Sequence, residues 1–250
     1  MASIAIGDIH GNVAALGDLL AQLEPALTSQ DTVVFLGDYI DRGAQSAQVV
    51  DRILTLRRES PATVVTLKGN HEDWLLKTMR DHTYHSWLLA TEAYSTIESY
   101  SPVAAEAIRA AEKQIDRNAL YGGLAPLPYD LFFDTLPPTH VGFFRELRLF
   151  YQTADGIFVH AGVEAQIASL EQQSPFTLLM GTFNFPQGYA GPEVVVYGHH
   201  DDAEVRDGWP LPRVTSSTIG IDTISHGVLT AVRLPERTIF QSARYLVSGE

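Results

Sequence analysis

The sequence predicts a mixed α/β (α+β) fold: a mixed β-sandwich flanked by helices, with its site at the carboxyl ends of strands. Three observations carry this expectation. The first third alternates short apolar runs with stretches of helical periodicity, a βαβαβ pattern. The stretch after His199 reads as a series of strands. Five polar, glycine-bearing blocks each stand where an apolar run ends: Gly7-Asp8-Ile9-His10-Gly11-Asn12, Gly37-Asp38-Tyr39-Ile40-Asp41-Arg42-Gly43, Gly69-Asn70-His71-Glu72, His160-Ala161-Gly162 and Gly198-His199-His200. A strand that ends in Gly and polar residues turns the chain there.

Residues 4–6 give the first strand. Residues 13–24 give a helix, because Ala14, Leu16, Leu19, Leu20 and Leu23 recur on one helical face. Residues 33–36 and 64–67 are the next strands, 44–58 the second helix, and a third helix runs from 72 to about 81. Helices between successive strands imply parallel pairing with helices packed on the sheet. Residues 82–140 break the alternation with aromatic pieces around Trp87, Tyr94 and Tyr100, a helical run at 103–117 and a Gly/Pro-rich segment at 121–128. They are expected to form a cap or insertion over the face that bears the polar blocks, within a single domain spanning 1–250. Residues 139–150 read as a helix leading into a strand at Leu149-Phe150-Tyr151, and Ala154-Asp155-Gly156 turn a hairpin toward His160. Strands at 218–222, 227–233 and 237–242 read as antiparallel. There is no internal repeat and no low-complexity linker.

With 250 residues, 45% of them apolar, the chain can bury a sizeable core. It has no uninterrupted apolar stretch of transmembrane length. The amino terminus has no basic region and enters a strand at once, so no secretory signal is expected. The absence of cysteine excludes disulfides, thiolate zinc sites and a cysteine nucleophile. Cytoplasm is the expected compartment. A net charge of −13 disfavours broad binding to nucleic-acid backbone or to anionic membrane. Part of that charge is local, since Asp8, Asp38 and Asp41 stand in the polar blocks, where two divalent cations would offset their repulsion.

In α/β folds the carboxyl ends of strands converge on one crevice. Here that would gather Asp8, His10, Asp38, Asn70, His160 and His199, an oxygen-and-nitrogen ligand set for two divalent metal ions. Gly-Asp and Gly-Asn are also common turn pairs. That reading accounts for the Asp and Asn positions but not for histidines at three strand ends.

The patterns Asp-x-His-Gly, Gly-Asp-x-x-Asp-Arg-Gly, Gly-Asn-His-Glu and a late Gly-His resemble the calcineurin-like metallophosphoesterases, and within them the phosphoprotein phosphatase branch. The chain looks most like small bacterial and phage enzymes of the lambda-phosphatase type, over roughly residues 3–77 and 141–232. The resemblance implies a metallophosphatase-type fold and a metal-dependent phosphomonoester hydrolase of the protein serine/threonine phosphatase type. In such an enzyme metal-bound hydroxide attacks phosphorus, and no phosphoenzyme forms. It assigns Asp38 as the bridge between ions about 3.5–4 Å apart, Asp8 and His10 to the first ion, and Asn70, His160 and His199 to the second. Mn²⁺ is the expected metal; Fe, Zn or Ni also suit imidazole and carboxylate ligands. The implied substrate is a phosphorylated protein or peptide, or a small phosphoester.

By the same resemblance His71 is the general acid that protonates the leaving oxygen, and Asp41 holds its other ring nitrogen. Metal ligation or plain packing is the competing role for His71. Arg42, next to Asp41 in a Gly-bounded loop, can pair two phosphate oxygens and is the expected substrate clamp, although most arginines make only surface ion pairs. One departure stands out. Similar enzymes carry a second phosphate-binding Arg in a stretch where this chain has Thr182. Arg145, Arg148 or Arg206 could replace it, or the substrate could differ. A dinucleoside polyphosphate or phosphodiester hydrolase is therefore the alternative, and aromatics in the 82–140 stretch could stack bases. A non-catalytic binding module ranks last, because no ligand of the pattern is missing. His200 is expected to point away from the ions, and His226 is either a turn residue or a residue on the site's rim. His82, His85 and His140 are expected to take no catalytic part. Glu72 would support the loop of Asn70 or begin a helix.

Overall fold

The computed structural model describes residues 2–167, 169–182, 185 and 193–246. The chain opens with the expected alternation: β1 (Ser3–Ile6), α1 (Val13–Leu23), β2 (Thr32–Phe35), α2 (Ser46–Glu59), β3 (Thr63–Thr66) and α3 (Asn70–Arg80). The three strands pair in parallel, with Ile4 opposite Val33 and Val33 opposite Val64. Six further helices follow: α4 (Ser86–Ala90), α5 (Tyr94–Tyr100), α6 (Pro102–Glu112), α7 (Arg117–Tyr121), α8 (Asp130–Phe133) and α9 (Pro138–Glu146). The second half is mostly β: β4 (Phe150–Gln152), β5 (Ile157–Val159), the short α10 (Pro175–Met180), β6 (Val195–Tyr197), the hairpin of β7 (Glu204–Arg206) and β8 (Trp209–Leu211), then β9 (Arg213–Val214), β10 (Thr218–Gly220), β11 (Thr230–Leu234) and β12 (Thr238–Gln241).

Two five-stranded mixed sheets result, ordered β12-β11-β1-β2-β3 and β4-β5-β6-β10-β9. The two-residue period of each strand divides its side chains between two cores. Ala5, Val34, Val65 and Val232 of the first sheet meet Phe158, Val196 and Ile219 of the second. Their neighbours Ile4, Ile6, Val33 and Phe35 face the helices. On the outer face of the second sheet, Ile157, Val159 and Val195 pack with Leu178 of α10. The order of layers is helices, sheet, sheet, helix, the flanked sandwich that the sequence predicts.

Residues 86–133 pack into the principal core. Trp87, Ile97, Ile108, Leu120 and Phe132 belong to the same buried cluster as Leu16, Val49 and Ile53. The helical run expected at 103–117 stops early, because Asp116 caps a new helix: its carboxylate accepts from the backbone N–H groups of Asn118 and Ala119. The antiparallel expectation after His199 holds for β11 and β12 and fails for β10. That strand lies parallel to β6 and is antiparallel only to β9. The intervening β7–β8 hairpin and β9 make the connection long enough to bring the chain back in the same direction. Among the described residues no helix is long and apolar enough to cross a membrane.

Candidate metal centre

Three strands run parallel in each sheet: β1, β2 and β3 in the first, β5, β6 and β10 in the second. Beyond their carboxyl ends stand Asp8 and His10, Asp38, Asn70, His160, His199 and Asp222. All of these except Asp222 are expected from the sequence. Asp222 ends the apolar run Ile219-Gly220-Ile221 just as the expected ligands end theirs, so its signal was present. His226, the residue singled out in that stretch, is half-buried against Asp201, with Nε2 3.2 Å away.

Asp38 is the hub. Its Oδ1 accepts the backbone N–H of His71 at 3.2 Å. Around Oδ2 stand the Nε2 atoms of His160, His10 and His71, at 3.5, 3.6 and 3.7 Å. These separations exceed hydrogen-bond reach. His10 and His160 each place Nδ1 against a backbone carbonyl, of Ile40 at 2.9 Å and of Leu36 at 3.0 Å. Nδ1 therefore carries the proton, and the Nε2 lone pair points inward. The Asn70 Oδ1 atom lies 3.0 Å from His160 Nε2, so two acceptors face each other. Two ligand-sized groupings share Asp38, one with His10 and His71, the other with His160 and His199.

Asp8 stands to one side of these groupings. Its Oδ2 accepts the backbone N–H of His199 at 3.0 Å, and its Oδ1 is buried without a hydrogen-bond partner. Burial, and then the charges of Asp222 and Asp38, raise the Asp8 carboxyl well above the ordinary range. Burial likewise pushes Asp222 up to about 7. An unpaired buried oxygen, inward lone pairs and crowded carboxylates are what divalent cations relieve. The residues present fit such ions.

The histidines divide electrostatically. Burial lowers His10, His160 and His199, the last to about 3, so all three are neutral, the form that ligates metals. Burial acts on His71 in the same direction, but the Asp38 charge and the hydrogen bond with Asp41 outweigh it and raise His71 to about 9. The Nδ1–H of His71 donates to Asp41 Oδ2 at 2.7 Å. Asp41 is itself fully buried and held by Trp87 Nε1 at 3.0 Å and the Thr96 hydroxyl at 2.6 Å.

The glycines of the polar blocks serve two ends: Gly11 (φ 63°) and Gly37 (φ 113°) turn the chain as expected, and others make room for neighbouring side chains. Five of the eight described non-glycine residues with positive φ are site residues: His10, Asp38, Asp41, Arg42 and His199. Left-handed strain therefore falls on the candidate site residues, beside the left-handed Gly11 and Gly37. Gly69 has φ −89°, a value open to any residue. It is required because a Cβ there would overlap the Asp38 carboxylate, and one on Gly198 would overlap Asp8.

Arg42 is exposed, and its side chain makes no hydrogen bond or ion pair among the described residues; its charge bears on Asp8, His10 and Asp222. None of the candidate substitutes for a second arginine is seen reaching the site. Arg145 is exposed on α9, Arg148 stacks over Tyr151, and Arg206 pairs with Glu204. Thr182 is half-buried after α10, and residues 183 and 184 lie outside the described set. The His200 ring packs on His199 with centroids 4.6 Å apart, and its buried Nε2 has no partner. His85 bonds Tyr129, His140 bridges Tyr100 and Asp51, and His82 lies by Asp130.

Glu72 does both things expected of it. It opens α3, and its carboxylate accepts the backbone N–H groups of Asp38, Tyr39 and Gly69 at 2.9–3.0 Å. Replacing it with Gln turns an NH₂ group toward one set of these donors. Glu72→Gln is expected to destabilise the fold by about 1–3 kcal/mol, measured by urea unfolding.

A family model described as calcineurin-like phosphoesterase matches residues 1–203. An Anoxybacillus flavithermus protein named bis(5'-nucleosyl)-tetraphosphatase PrpE (asymmetrical) is 27% identical, over 92% of this chain and 89% of its own length. The Drosophila melanogaster serine/threonine-protein phosphatase 6 catalytic subunit is 36% identical over 66 residues, which is 26% of this chain and 21% of that protein. The chain thus spans about a fifth of the length of that phosphatase. Among solved structures, one assigned as a diadenosine tetraphosphatase matches with TM-score 0.63 and 20% identity, covering 98% of this chain and 94% of that one. A Saccharomyces cerevisiae serine/threonine phosphatase matches with TM-score 0.53 and 14% identity, covering 100% and 81%. These two likenesses concern the fold.

Proposed function

The chain belongs to the calcineurin-like phosphoesterase family and is a hydrolase; from this premise we propose that it is a two-metal enzyme cleaving a phosphoanhydride of dinucleoside polyphosphates. The observation that carries the substrate class is one of extent. Sequence similarity to a bis(5'-nucleosyl)-tetraphosphatase runs through nearly the whole chain, whereas sequence similarity to the Drosophila serine/threonine-protein phosphatase 6 catalytic subunit is confined to 66 residues. Two features support this reading: the charge of the candidate clamp Arg42 bears on Asp8, His10 and Asp222, and this chain has Thr182 in the stretch where similar enzymes carry a second phosphate-binding Arg. This reverses the order of preference drawn from the sequence motifs alone.

Asp8, His10 and Asp38 would hold one ion, and Asp38, Asn70, His160 and His199 the other, with the Asp38 carboxylate common to both. When bound, the two ions would supply the Lewis acidity that activates water and offsets charge on the phosphoryl oxygens. His71 donates its Nε2 proton to the departing oxygen, and Asp41 fixes the ring through Nδ1. Trp87 and Thr96 hold Asp41 in turn. Arg42 pairs the phosphate oxygens with its guanidinium.

The proton on His71 gives a pH signature. Its folded value is raised, so the cation is complete at neutral pH and is lost as pH rises through about 9. Turnover is expected to decline across that alkaline range. Asp41→Asn removes one cause of the raised value, so it should move the decline toward lower pH, read from the pH profile of kcat.

Substrate class is tested by comparing diadenosine tetraphosphate, p-nitrophenyl phosphate, bis-p-nitrophenyl phosphate and a phosphothreonine peptide, each with the Mn²⁺-loaded chain. The expected result is the highest kcat/KM on the tetraphosphate. A preference for the peptide would return the protein-phosphatase reading instead.

A further inference from the structure

A second pocket lies away from the metal ligands, among the helices of the 82–140 stretch. It encloses about 370 Å³, within the range that holds a small organic ligand. Leu89 of α4, Ile115 and the buried Leu120 of α7 give it an apolar base. Tyr94 is fixed on one wall: its hydroxyl donates to Glu112 at 2.5 Å, and the Arg109 guanidinium lies 4.2 Å from its ring centroid. Arg109 is also paired with Glu98.

The remaining lining residues are uncommitted. Lys113 and Arg117 are exposed, and their side chains make no hydrogen bond or ion pair among the described residues. Tyr121 is 65% exposed at the pocket's edge. On a chain of net charge −13, two free cations beside an apolar base and an open aromatic ring select an anion with a flat apolar part. The aromatic face can stack a base, and the cations can pair phosphate oxygens. Glu112, already engaged by Tyr94, disfavours a second anionic group on that wall.

We propose that this pocket binds a nucleoside mono- or diphosphate, with the base on Tyr121 and the phosphate on Lys113 and Arg117. The site is distinct from the metal centre and does not depend on the substrate proposed for it. It has a structural route to that centre. Leu89 lies on the same short helix as Trp87, and Tyr94 on the same helix as Thr96, the two residues that grip Asp41. A ligand wedged against Leu89 and Tyr94 bears on the helices that hold the partner of His71.

The test is calorimetric titration of the full, Mn²⁺-loaded chain with α,β-methylene adenosine diphosphate, which resists hydrolysis. Tyr121→Ala and the double variant Lys113→Ala/Arg117→Ala are each expected to weaken binding about tenfold or more, while Tyr121→Phe retains it. All three variants change exposed side chains, so p-nitrophenyl phosphate hydrolysis without nucleotide should match the parent. Adenosine and methylene diphosphonate should each bind at least about tenfold more weakly than the nucleotide. Parent affinity in every variant would place the nucleotide at the metal centre and overturn the proposal. So would no binding at millimolar ligand, or equal affinity for methylene diphosphonate, which would mark a plain anion patch.

Discussion

Replacing His71 with Asn is expected to lower kcat by about two to four orders of magnitude while metal content stays unchanged. His71 is the one imidazole of the four around Asp38 whose proton is retained, because Asp41 and Asp38 outweigh its burial. An amide has no proton to give a leaving oxygen. The surrounding frame survives the change, since Asp41 remains held by Trp87 and Thr96. The loss should be smaller for p-nitrophenyl phosphate, whose leaving group needs little protonation, than for an alkyl phosphate. Metal analysis is the discriminating measurement. His71 Nε2 stands 3.7 Å from Asp38 Oδ2, within one ligand-sized grouping with His10. If one ion disappears along with the activity, His71 is a ligand and not the acid.

Asp38→Asn should be more damaging still, since both groupings depend on the same carboxylate. The amide keeps an oxygen to accept the His71 backbone N–H. Its nitrogen then faces the inward lone pairs of His10 and His160 and cannot ligate a cation. The expected outcome is affinity for both ions more than about 100-fold weaker and loss of turnover at ordinary metal concentration. Metal stoichiometry, set beside that of Asn70→Ala, checks this. Asn70 Oδ1 lies 3.0 Å from His160 Nε2, a member of one grouping, so its loss should release mainly one ion.

The expected ligands were legible because each sits just beyond a run of strand residues, where local pattern and function coincide. What the pattern did not carry was long-range geometry. The parallel course of β10 depends on the path of its connection, which apolar runs do not encode. Asp222 had the same signal as the expected ligands, but the parallel pairing of β10 with β6 that brings its strand end to their edge was not expected. The supports of Asp41 were hidden for a related reason. Trp87 and Thr96 lie 46 and 55 residues away, on helices that read only as an insertion. The glycines were legible as turns, which holds for Gly11 and Gly37, but their second role was not. Gly69 and Gly198 leave room for Asp38 and Asp8, and positive φ angles fall on His10, Asp38, Asp41, Arg42 and His199 as well as on Gly11 and Gly37. A one-dimensional pattern records which residues are present but not which of them carries the strain.

The centre also straddles a seam. Asp8, His10, Asp38 and Asn70 hang from one sheet, and His160, His199 and Asp222 from the other, with an apolar interface between the sheets. Ions held at this edge would act as a clasp across the sandwich, present only when both leaves are closed. Mass action then ties rigidity to supply: each ion at 100 times its Kd would add about 2.7 kcal/mol to the closed form. A cell short of the metal would thus have a molecule that is both idle and easier to unfold.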